Sequence, residues 1–363
     1  MIYTAIGLMS GSSLDGLDIA CVRLEEVRGK WSYEVIAAAC VAYEPEILES
    51  LQKVNDHKLA VPEFLLFHSH YGHYLGREVA GFMQRHGLDY KVHFVASHGH
   101  TAFHAPDKST SFQIGCGAAI AAECGRPVIS DLRAMDLAFG GQGAPIVPIG
   151  DRLLFGGYDA WLNLGGIANI TLRETDERHV AFDTCPCNQV LNKLAAQEGM
   201  AYDVGGALAA QGAVNGALLN ALNALEFYAA NPPKSLANEY SRNAVLPLIA
   251  KANLSTPDAL ATAVEHIAAQ TALAINSRGS EEAAPRKLLA TGGGALNTFL
   301  IARIAAHLGD AWEVVVPDEQ TVQFKEAIVM ALIGALRWRE EANVLASATG
   351  ARQDSIGGAI WMV

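Results

Sequence analysis

The sequence predicts an α/β protein built from two similar halves, each with a mixed β-sheet flanked by helices. Each half begins with three strand-like segments and then alternates helices with strands, an order typical of α/β folds. Small residues join the first two strands of each half, in residues 10–16 and again in residues 165–166. Because 363 residues exceed what one compact core accommodates, we expect two domains, residues 1–131 and 132–363, with a cleft between them.

Apolar residues recur with strand or helix spacing along the first half of the chain. They predict strands at residues 2–8, 17–24, 31–43, 92–96 and 127–131. They predict helices at residues 46–53, 62–85 and 112–124, the last of them rich in small residues.

The second half repeats this order with more helices. Strands are expected at residues 160–167, 169–172, 179–183, 287–290 and 312–316. Helices are expected at residues 189–197, 205–225, 260–277, 295–308 and 325–340. Between the halves, residues 138–148 are dense in Gly and Pro. We interpret them as a segment that enters the cleft, and the alternative is a stiff linker.

Composition and charge exclude several classes of protein. Hydrophobic residues make up 51% of the chain and charged residues 18%, as in well-packed globular proteins rather than disordered ones. The formal net charge of −12 argues against nucleic acid or an anionic membrane as the partner, because both require a basic surface. No apolar run is long enough to span a membrane, and the N-terminus lacks the pattern of a signal peptide, so we expect a cytoplasmic protein.

The six cysteines are spread through apolar or Gly-rich surroundings, which favours buried free thiols in a reducing compartment. Cys185 and Cys187 flank a single proline. This pair lacks the two-residue spacer and the second Cys pair of a zinc knuckle, so a metal site is not expected there.

Loops of small residues follow several predicted strands, at residues 11–16, 140–143, 165–166, 183–188 and 291–294. Ligands of open α/β sheets bind where strands end, and tight turns with exposed backbone N–H groups bind phosphate. In the turn at residues 9–18, Asp15 and Asp18 add carboxylates suited to a phosphate-bound Mg²⁺. An ordinary β-hairpin turn is the alternative for these residues. The chain has neither a GxxxxGK(S/T) P-loop nor a strand-following GxGxxG fingerprint, so P-loop and dinucleotide enzymes are not expected.

Two carboxylates and two histidines are candidates for chemistry. Asp183 follows a predicted strand, and its side chain is either a general base or the N-cap of the next helix. Glu326 is expected in the first turn of a helix, where the helix dipole favours an acid for structural reasons. His98 and His100 lack the acidic partners of a zinc site, so structural or substrate-contacting roles are favoured.

Taken together, these segments resemble the anhydro-N-acetylmuramic acid kinase family, within the sugar kinase/actin-like ATPase superfamily. The resemblance covers nearly the whole chain and rests on segments in a specific order: GLMSGSSLDGLD (7–18), SHGHTAFHAP (97–106), FQIG (112–115), GRPVISDLRAMDLAFGGQGAPIVP (125–148), LNLGGIANIT (162–171), FDTCPCN (182–188), TGGGALN (291–297) and FKEA (324–327). It implies two duplicated RNase-H-like domains with mixed five-stranded sheets, which close over ATP. The implied substrate is 1,6-anhydro-N-acetylmuramic acid, a bacterial cell-wall breakdown sugar that is being recycled.

The resemblance also implies a reaction in which two bonds change. Water opens the 1,6-anhydro bridge at C1, and O6 receives the γ-phosphoryl group of ATP, giving N-acetylmuramic acid 6-phosphate and ADP. Asp183 matches the family's catalytic aspartate, and a base that activates water contributes about 10²–10⁴-fold. Glu326 matches a family acid beside the substrate, with a role in orienting water or sugar.

Binding residues are carried over from the resemblance in the same way. The implied ATP contacts are Gly11, Ser12, Ser13, Leu14, Asp15, Gly16, Leu17, Asp18, Gly165, Gly166, Gly292, Gly293 and Gly294. Mg²⁺ would bridge the phosphates, with Asp15 or Asp18 as the candidate protein ligand. The implied sugar contacts are Ser97, His98, Thr101, Arg133, Asp136 and Gln142, among which an arginine suits the lactyl carboxylate. A homodimer is the expected assembly.

The chain departs from the family pattern at two places. Cys185 and Cys187 stand where the family usually has glycines, which predicts strain or bulk beside the nucleotide and an oxidisable pair. His100 stands where the family tends to have Gln, which predicts contacts that are pH-sensitive near neutrality. Two alternatives stay open: a kinase for another sugar, and a non-catalytic actin-like nucleotide switch that needs no base at residue 183.

Overall fold

The computed structural model describes residues 1–11, 14–175, 178–232, 234–237, 239–276 and 285–363. Ser12 and Ser13, two of the expected ATP contacts, lie outside the described residues. The chain forms two compact units: Met1–Gly156 together with Phe324–Val363, and Gly157–Gln323. This division differs from the predicted boundary between residues 131 and 132, because the C-terminal part of the chain packs into the first unit.

The strands of the first 156 residues are β1 (Ile2–Ser10), β2 (Leu17–Val27), β3 (Lys30–Val41), β4 (Phe94–Ala105), β5 (Thr110–Ile114) and β6 (Val128–Ser130). The helices are α1 (Pro45–Asn55), α2 (Val61–Arg85), α3 (Gly117–Cys124), α4 (Ala134–Ala138) and α5 (Pro148–Leu153). The helix predicted at residues 112–124 is therefore partly wrong. Its first residues extend β5, which pairs with β4, and the helix begins at Gly117.

In the second unit the strands are β7 (Ala160–Leu164), β8 (Ile167–Arg173), β9 (His179–Pro186), β10 (Arg286–Thr291) and β11 (Trp312–Val315). The helices are α6 (Asn188–Ala195), α7 (Gly216–Asn223), α8 (Glu226–Ala229), α9 (Leu246–Ala252), α10 (Thr256–Asn276) and α11 (Thr298–Leu308). A long helix predicted at residues 205–225 is reduced to α7, because Gly205 and Gly206 adopt positive φ values of 62° and 75° that interrupt a helix.

The chain ends with α12 (Glu319–Trp338), α13 (Ala346–Thr349) and β12 (Ala359–Trp361). Because α12 begins at Glu319, Glu326 lies two turns inside the helix and not in its first turn as predicted, so the helix dipole does not account for this acid. No helix in the described part of the chain combines the length and the hydropathy of a membrane span.

Both units contain the same five-stranded arrangement. In the first, the order β3-β2-β1-β4-β6 has β1, β4 and β6 parallel and β2 antiparallel to its neighbours. In the second, β9-β8-β7-β10-β11 repeats this order and these directions. The duplicated RNase-H-like topology is thus confirmed. Within the described residues the first sheet has seven strands, because β5 joins β4 and β12 joins β6.

Each unit buries its own core. In the first unit, Tyr71, Val79 and Phe82 of α2 pack with Leu8 and Ile19 of the sheet. In the second unit, residues of β7, β8 and β9 pack with α6, α7 and α10. In each unit, therefore, the first hairpin of the sheet (β1–β2 or β7–β8) packs against a buried core.

Candidate functional site

In the first unit, β1 and β2 pair antiparallel with Ser10 opposite Leu17, and the turn between them includes Gly11 and residues 14–16. Leu14 has a left-handed φ of 59°, and its N–H donates to the carbonyl oxygen of Gly11 at 3.3 Å. A Cβ at Gly16 would lie 2.6 Å from Cys40 Sγ and 2.9 Å from the carbonyl oxygen of Val41. The turn therefore requires glycine at residue 16, because β3 passes directly beside it.

An acidic cluster lies beside this turn. Asp18 on β2 pairs with Cys40 on β3 and accepts a hydrogen bond from its thiol. Burial, together with the charges of Asp15 and Glu326, raises the pKa of Asp18 to about 7. Burial likewise raises the pKa of Glu326, against the nearby positive charges of Lys325 and Arg133. A phosphate-bound Mg²⁺ would stabilise these mutually repelling carboxylates, because Mg²⁺ prefers hard oxygen ligands.

Among the described residues, no group of three or more His, Cys, Asp or Glu side chains is arranged to hold a metal ion. Asp15 and Asp18 are carboxylate donors of the kind that Mg²⁺ prefers, and they lie close enough for one charge to raise the pKa of the other. The donor set therefore fits a cation that the phosphates also bind. It does not fit a metal held by protein alone.

A buried ion pair adjoins Glu326 and was missed by the sequence reasoning. Lys325 Nζ lies 2.6 Å from Asp151 Oδ1 on α5, with side-chain exposures of only 6% and 2%. The ammonium also lies 5.3 Å from the ring centre of Phe155. A lysine on the otherwise apolar face of a predicted helix was the available signal, because such a charge requires a buried partner.

Arg133 and His98 form a second polar group in the first unit. Arg133 donates from Nε and Nη2 to His98 Nε2, at 3.0 and 2.8 Å, and from Nη1 to the carbonyl oxygen of Gly143 at 2.8 Å. His98 Nδ1 lies 2.9 Å from the carbonyl oxygen of Gly99 and donates to it, while Nε2 accepts from Arg133, so the ring is neutral. Burial and the neighbouring Arg133 lower the pKa of His98 to about 3.

Asp136, an expected sugar contact, is fully buried and holds the glycine-rich loop. Its carboxylate accepts from the N–H of Gly143 and from Thr349 Oγ1, both at 2.7 Å. Gln142 is tied to the same place, since its N–H donates to the carbonyl oxygen of Thr349 at 3.0 Å. Because these bonds occupy its carboxylate, Asp136 is suited to a positioning role. Arg133 is then the charged side chain of this group that is suited to contact a ligand.

Ser97 and Thr101, the remaining expected sugar contacts, lie on β4. Ser97 is buried, and its hydroxyl accepts from the N–H of Gly99 at 3.2 Å. Thr101 is half-buried and accepts from Gln113 Nε2 at 3.4 Å. The structure thus places both on the strand that also carries His98.

In the second unit, the expected ATP glycines lie close together. Gly165 and Gly166 form the β7–β8 turn, and their carbonyl oxygens accept from the N–H groups of residues 187–189 at the start of α6. A Cβ at Gly294 would lie 2.7 Å from Leu164 Cβ, and one at Gly292, whose φ is 78°, would lie 2.4 Å from Asn163 Oδ1. The loop 292–294 therefore packs directly against the end of β7, and larger residues would separate them.

Asp183 lies within β9, which continues to Pro186, and the N-cap of α6 is Cys187. The N-cap alternative for Asp183 is therefore wrong. Its Oδ2 accepts from the N–H of Leu236 at 2.7 Å. Burial raises the pKa of Asp183 to about 6, against the hydrogen bond from Leu236. The sequence carried no signal for Leu236, because a backbone donor leaves no trace in residue type.

Comparison with known proteins now decides the family. The model of the anhydro-N-acetylmuramic acid kinase family matches residues 3–363. The chain belongs to this family. An anhydro-N-acetylmuramic acid kinase of Xanthomonas oryzae pv. oryzae is 34% identical, covering 98% of this chain and 96% of the relative. One of Paramagnetospirillum magneticum is 37% identical over 84% of each chain. Among solved structures, (R)-2-hydroxyglutaryl-CoA dehydratase component A of Acidaminococcus fermentans is 14% identical, with a TM-score of 0.48, covering 91% of this chain and 96% of that one.

His100, one of the two expected departures from the family pattern, lies in a buried network. Its Nε2 donates to Asn55 Oδ1 and its Nδ1 accepts from Ser10 Oγ, both at 2.9 Å. Ser10 in turn accepts from the hydroxyl of Tyr71 at 3.0 Å. Burial lowers the pKa of His100 to about 4. The predicted pH sensitivity near neutrality is therefore wrong, because the imidazole stays neutral.

Cys185 and Cys187, the other expected departure from the family pattern, are fully buried in the core of the second unit. Cys185 pairs with Ala168 in the sheet, and Cys187 has a φ of −124°, so neither adopts the left-handed backbone that favours glycine. Burial raises the pKa of the Cys185 thiol to about 12. The expected oxidisable pair is wrong, because the core encloses both sulfur atoms.

Proposed function

We propose that this chain uses ATP to convert 1,6-anhydro-N-acetylmuramic acid to N-acetylmuramic acid 6-phosphate and ADP. Membership of the kinase family supports the activity. The carboxylate of Asp183 carries the proposed mechanism: one oxygen is fixed by the N–H of Leu236, and burial brings its pKa to about 6. A base with a pKa near the working pH is the kind that activates water efficiently.

The proposed reaction balances as follows. Asp183 takes a proton from water, whose oxygen bonds to C1 while the C1–O6 bond breaks. O6 keeps that electron pair and bonds to the γ-phosphorus, and the bond between this phosphorus and the bridging oxygen of ADP breaks. The proton on Asp183 then passes to solvent. No second base is needed at O6, because bond cleavage itself makes this oxygen nucleophilic.

The first unit supplies the proposed binding groups. Three of the five N–H groups of Arg133 are used within the described residues, so two remain for the lactyl carboxylate of the sugar. Burial lowers the pKa of Arg133 to about 10, so its guanidinium is still charged at neutral pH. We assign Glu326 a role in orienting the sugar or water.

The nucleotide contacts are proposed at the β1–β2 turn, with Asp15 and Asp18 as the residues that would hold Mg²⁺, and at the glycines of the second unit. Mg²⁺ bound with ATP neutralises charge on the phosphoryl group during transfer. The carboxylate of Asp18, with its pKa near 7, would lose its proton more readily beside a divalent cation.

Sugar-dependent ATP consumption tests the proposal. Asp183→Asn should reduce turnover by about 10²–10⁴-fold, since the amide cannot accept the proton of water. Asp310→Asn, an exposed aspartate of the same unit, should leave it unchanged. Full turnover by Asp183→Asn would refute the assignment of the base. ATP consumption that does not depend on the sugar would favour a nucleotide switch, and turnover with another sugar alone would favour a different sugar kinase.

We further propose that the active form is a cytoplasmic homodimer. The net charge of −12 and the use of ATP suit a protein of the cytoplasm. Light scattering should give twice the mass of one chain, and a mass of one chain would contradict the dimer.

A further inference from the structure

A segment that follows α7 forms hydrogen bonds to Asp183, the proposed base, and so affects its position. We call residues 226–232 and 234–237 the bracing segment. Asp183 and this segment exchange two hydrogen bonds: Leu236 N–H donates to Asp183 Oδ2 at 2.7 Å, and Asp183 N–H donates to the carbonyl oxygen of Lys234 at 3.0 Å. Because β9 is an edge strand among the described strands of its sheet, the segment pairs with the side of Asp183 that faces away from β8.

The other end of the bracing segment is attached to α10 through buried polar groups. The hydroxyl of Tyr228 lies 2.8 Å from His266 Nε2, and His266 Nδ1 lies 2.7 Å from Asn223 Oδ1. Gln270 Nε2 donates to the same amide oxygen at 2.9 Å. Since the oxygen of Asn223 only accepts, Nδ1 of His266 carries the proton and Nε2 accepts from Tyr228. His266 is 2% exposed, so this geometry is enclosed by the core.

Between these two attachments the segment is stiffened by its own side chains. Lys234 Nζ donates to the carbonyl oxygen of Phe227 at 3.3 Å and lies 4.6 Å from the ring centre of the same residue. The ring of Phe227 meets that of Tyr228 edge-on at 5.5 Å. The position of Leu236 is thereby linked to the position of Tyr228.

We propose that Tyr228 and His266 are positioning residues for Asp183, acting through the bracing segment and the N–H of Leu236. Among the described residues, the N–H of Leu236 is the group that donates a hydrogen bond to the carboxylate of Asp183. It fixes Oδ2 and so directs Oδ1 towards the water that the base is to activate. The inference rests on the proposed function, since it concerns the base of that reaction.

Several titratable groups that the structure describes lie around Asp183, whose own pKa is about 6. Cys185 on β9 stays a thiol, with a pKa raised by burial to about 12. His266 on α10 stays neutral, with a pKa lowered by burial to about 4. Lys234 lies on the segment itself, and burial raises the pKa values of Tyr228 and Tyr240 above their ordinary range. The hydrogen bond from Leu236 favours the ionised carboxylate, so its loss raises the pKa of Asp183.

The first test removes the Tyr228 hydroxyl and measures the pH dependence of kcat. Tyr228→Phe should lower kcat about 5- to 10-fold, as expected for loss of one hydrogen bond, with KM for ATP and sugar unchanged. The acidic limb of the profile should move to higher pH. Tyr202→Phe removes an exposed hydroxyl of the same unit and should change neither quantity. A lower kcat with an unmoved acidic limb, or no change at all, would overturn the proposal.

The second test removes the donor itself. Leu236→Pro lacks the N–H and should move the acidic limb in the same direction and further, whereas Leu236→Ala keeps the N–H and should move the limb much less than the proline variant does. Equal behaviour of the two variants would contradict the role of this donor. Titration of the Asp183 carboxyl carbon by NMR, assigned with Asp183→Asn, should show the same order of pKa values. This readout needs no turnover, so it tests the positioning even if the proposed reaction fails.

Discussion

Burial brings the pKa values of two carboxylates that the structure describes, Asp183 and Asp18, near neutrality. Asp183 in the second unit has a pKa of about 6, and Asp18 in the first has one of about 7. Their surroundings differ otherwise: the carboxylate of Asp183 accepts from a backbone N–H, whereas the charges of Asp15 and Glu326 raise the pKa of Asp18 against the hydrogen bond from Cys40. The first suits a base, and the second suits a carboxylate whose negative charge a bound cation would compensate.

The buried charge of Asp183 should cost stability at neutral pH. Its unfolded pKa is near 3.9 and its folded pKa near 6, so the folded state binds more protons between these values. The free energy of unfolding therefore falls as pH rises from about 4 to about 6. Asp183→Asn should be more stable than the wild type at pH 7.5 by about 1–2 kcal/mol, after allowance for partial exposure, and equal to it at pH 4.

Urea denaturation at the two pH values measures this difference. The exposed control Asp310→Asn should follow the wild type at both. A stability difference between Asp183→Asn and the wild type that does not change with pH would show that the carboxyl is not perturbed by folding.

The His100 network makes a different prediction, because the imidazole acts as a neutral donor and acceptor. Gln can also donate to Asn55 and accept from Ser10, so His100→Gln should keep KM for ATP within about threefold. His100→Leu leaves buried polar partners unpaired and should lower stability by about 1–3 kcal/mol. Thermal unfolding and ATP kinetics between pH 5.5 and 8 distinguish the two. Equal effects of Gln and Leu, or a KM that follows pH in the wild type alone, would contradict this account.

At the scale of elements, Gly7 allows α12 to pack closely against β1. A Cβ at Gly7 would lie 1.8 Å from the carbonyl oxygen of Ala327 and 2.8 Å from the N of Ala331. Ala327 directly follows Glu326, so this close approach determines where the acid lies relative to the β1–β2 turn. Residues 327–333 of the helix are completely buried, which makes the contact rigid.

Gly7→Ala should therefore be one of the most damaging small substitutions in the first unit. The backbone of α12 cannot yield as a flexible side chain would, and we expect a loss of about 3 kcal/mol together with a higher KM for ATP. Gly156→Ala is the matched control, since its Cβ would meet one backbone oxygen at an ordinary 3.7 Å. Denaturant unfolding compares them, and similar stability of both variants would refute the close-packing argument.

At the scale of the whole molecule, the first unit is made from both ends of the chain. The last strand, β12, pairs antiparallel with β6, and Trp361 Nε1 donates to Ser130 Oγ at 2.9 Å. The indole also packs on α3, where a Cβ at Gly117 would lie 2.4 Å from Trp361 Nε1. The first sheet therefore includes a strand, residues 359–361, that lies far along the chain from its other strands.

Deleting residues 359–363 should lower the melting temperature by several degrees, because β6 loses its neighbouring strand and α3 loses the Trp361 side chain that packs beside Gly117. Deleting residues 362–363 alone removes two exposed side chains beyond β12 and should leave the melting temperature unchanged. Thermal unfolding of both truncated chains checks this. Equal melting temperatures would mean that β12 adds nothing to the first unit.

Most elements were predictable because their apolar periodicity is local. The strands β1, β2 and β9 and the helix α2 lie within a few residues of their predicted positions. The strands β5 and β12 were not expected, since short edge strands depend on a neighbour that lies elsewhere in the chain. The start of α12 was placed six residues late, because its first residues, 319–324, include polar side chains that weaken the helical pattern.

The candidate site divides in the same way. Motif order in the sequence by itself indicated the family, the turn at residues 10–18, Asp183 and Glu326, because these are patterns of residue type along the chain. Tertiary structure decided which side chains are charged: it keeps His98 and His100 neutral, encloses Cys185 and Cys187, pairs Lys325 with Asp151 and gives Asp183 its backbone donor. Burial and through-space contacts join residues far apart in sequence, so they exist only once the chain has folded.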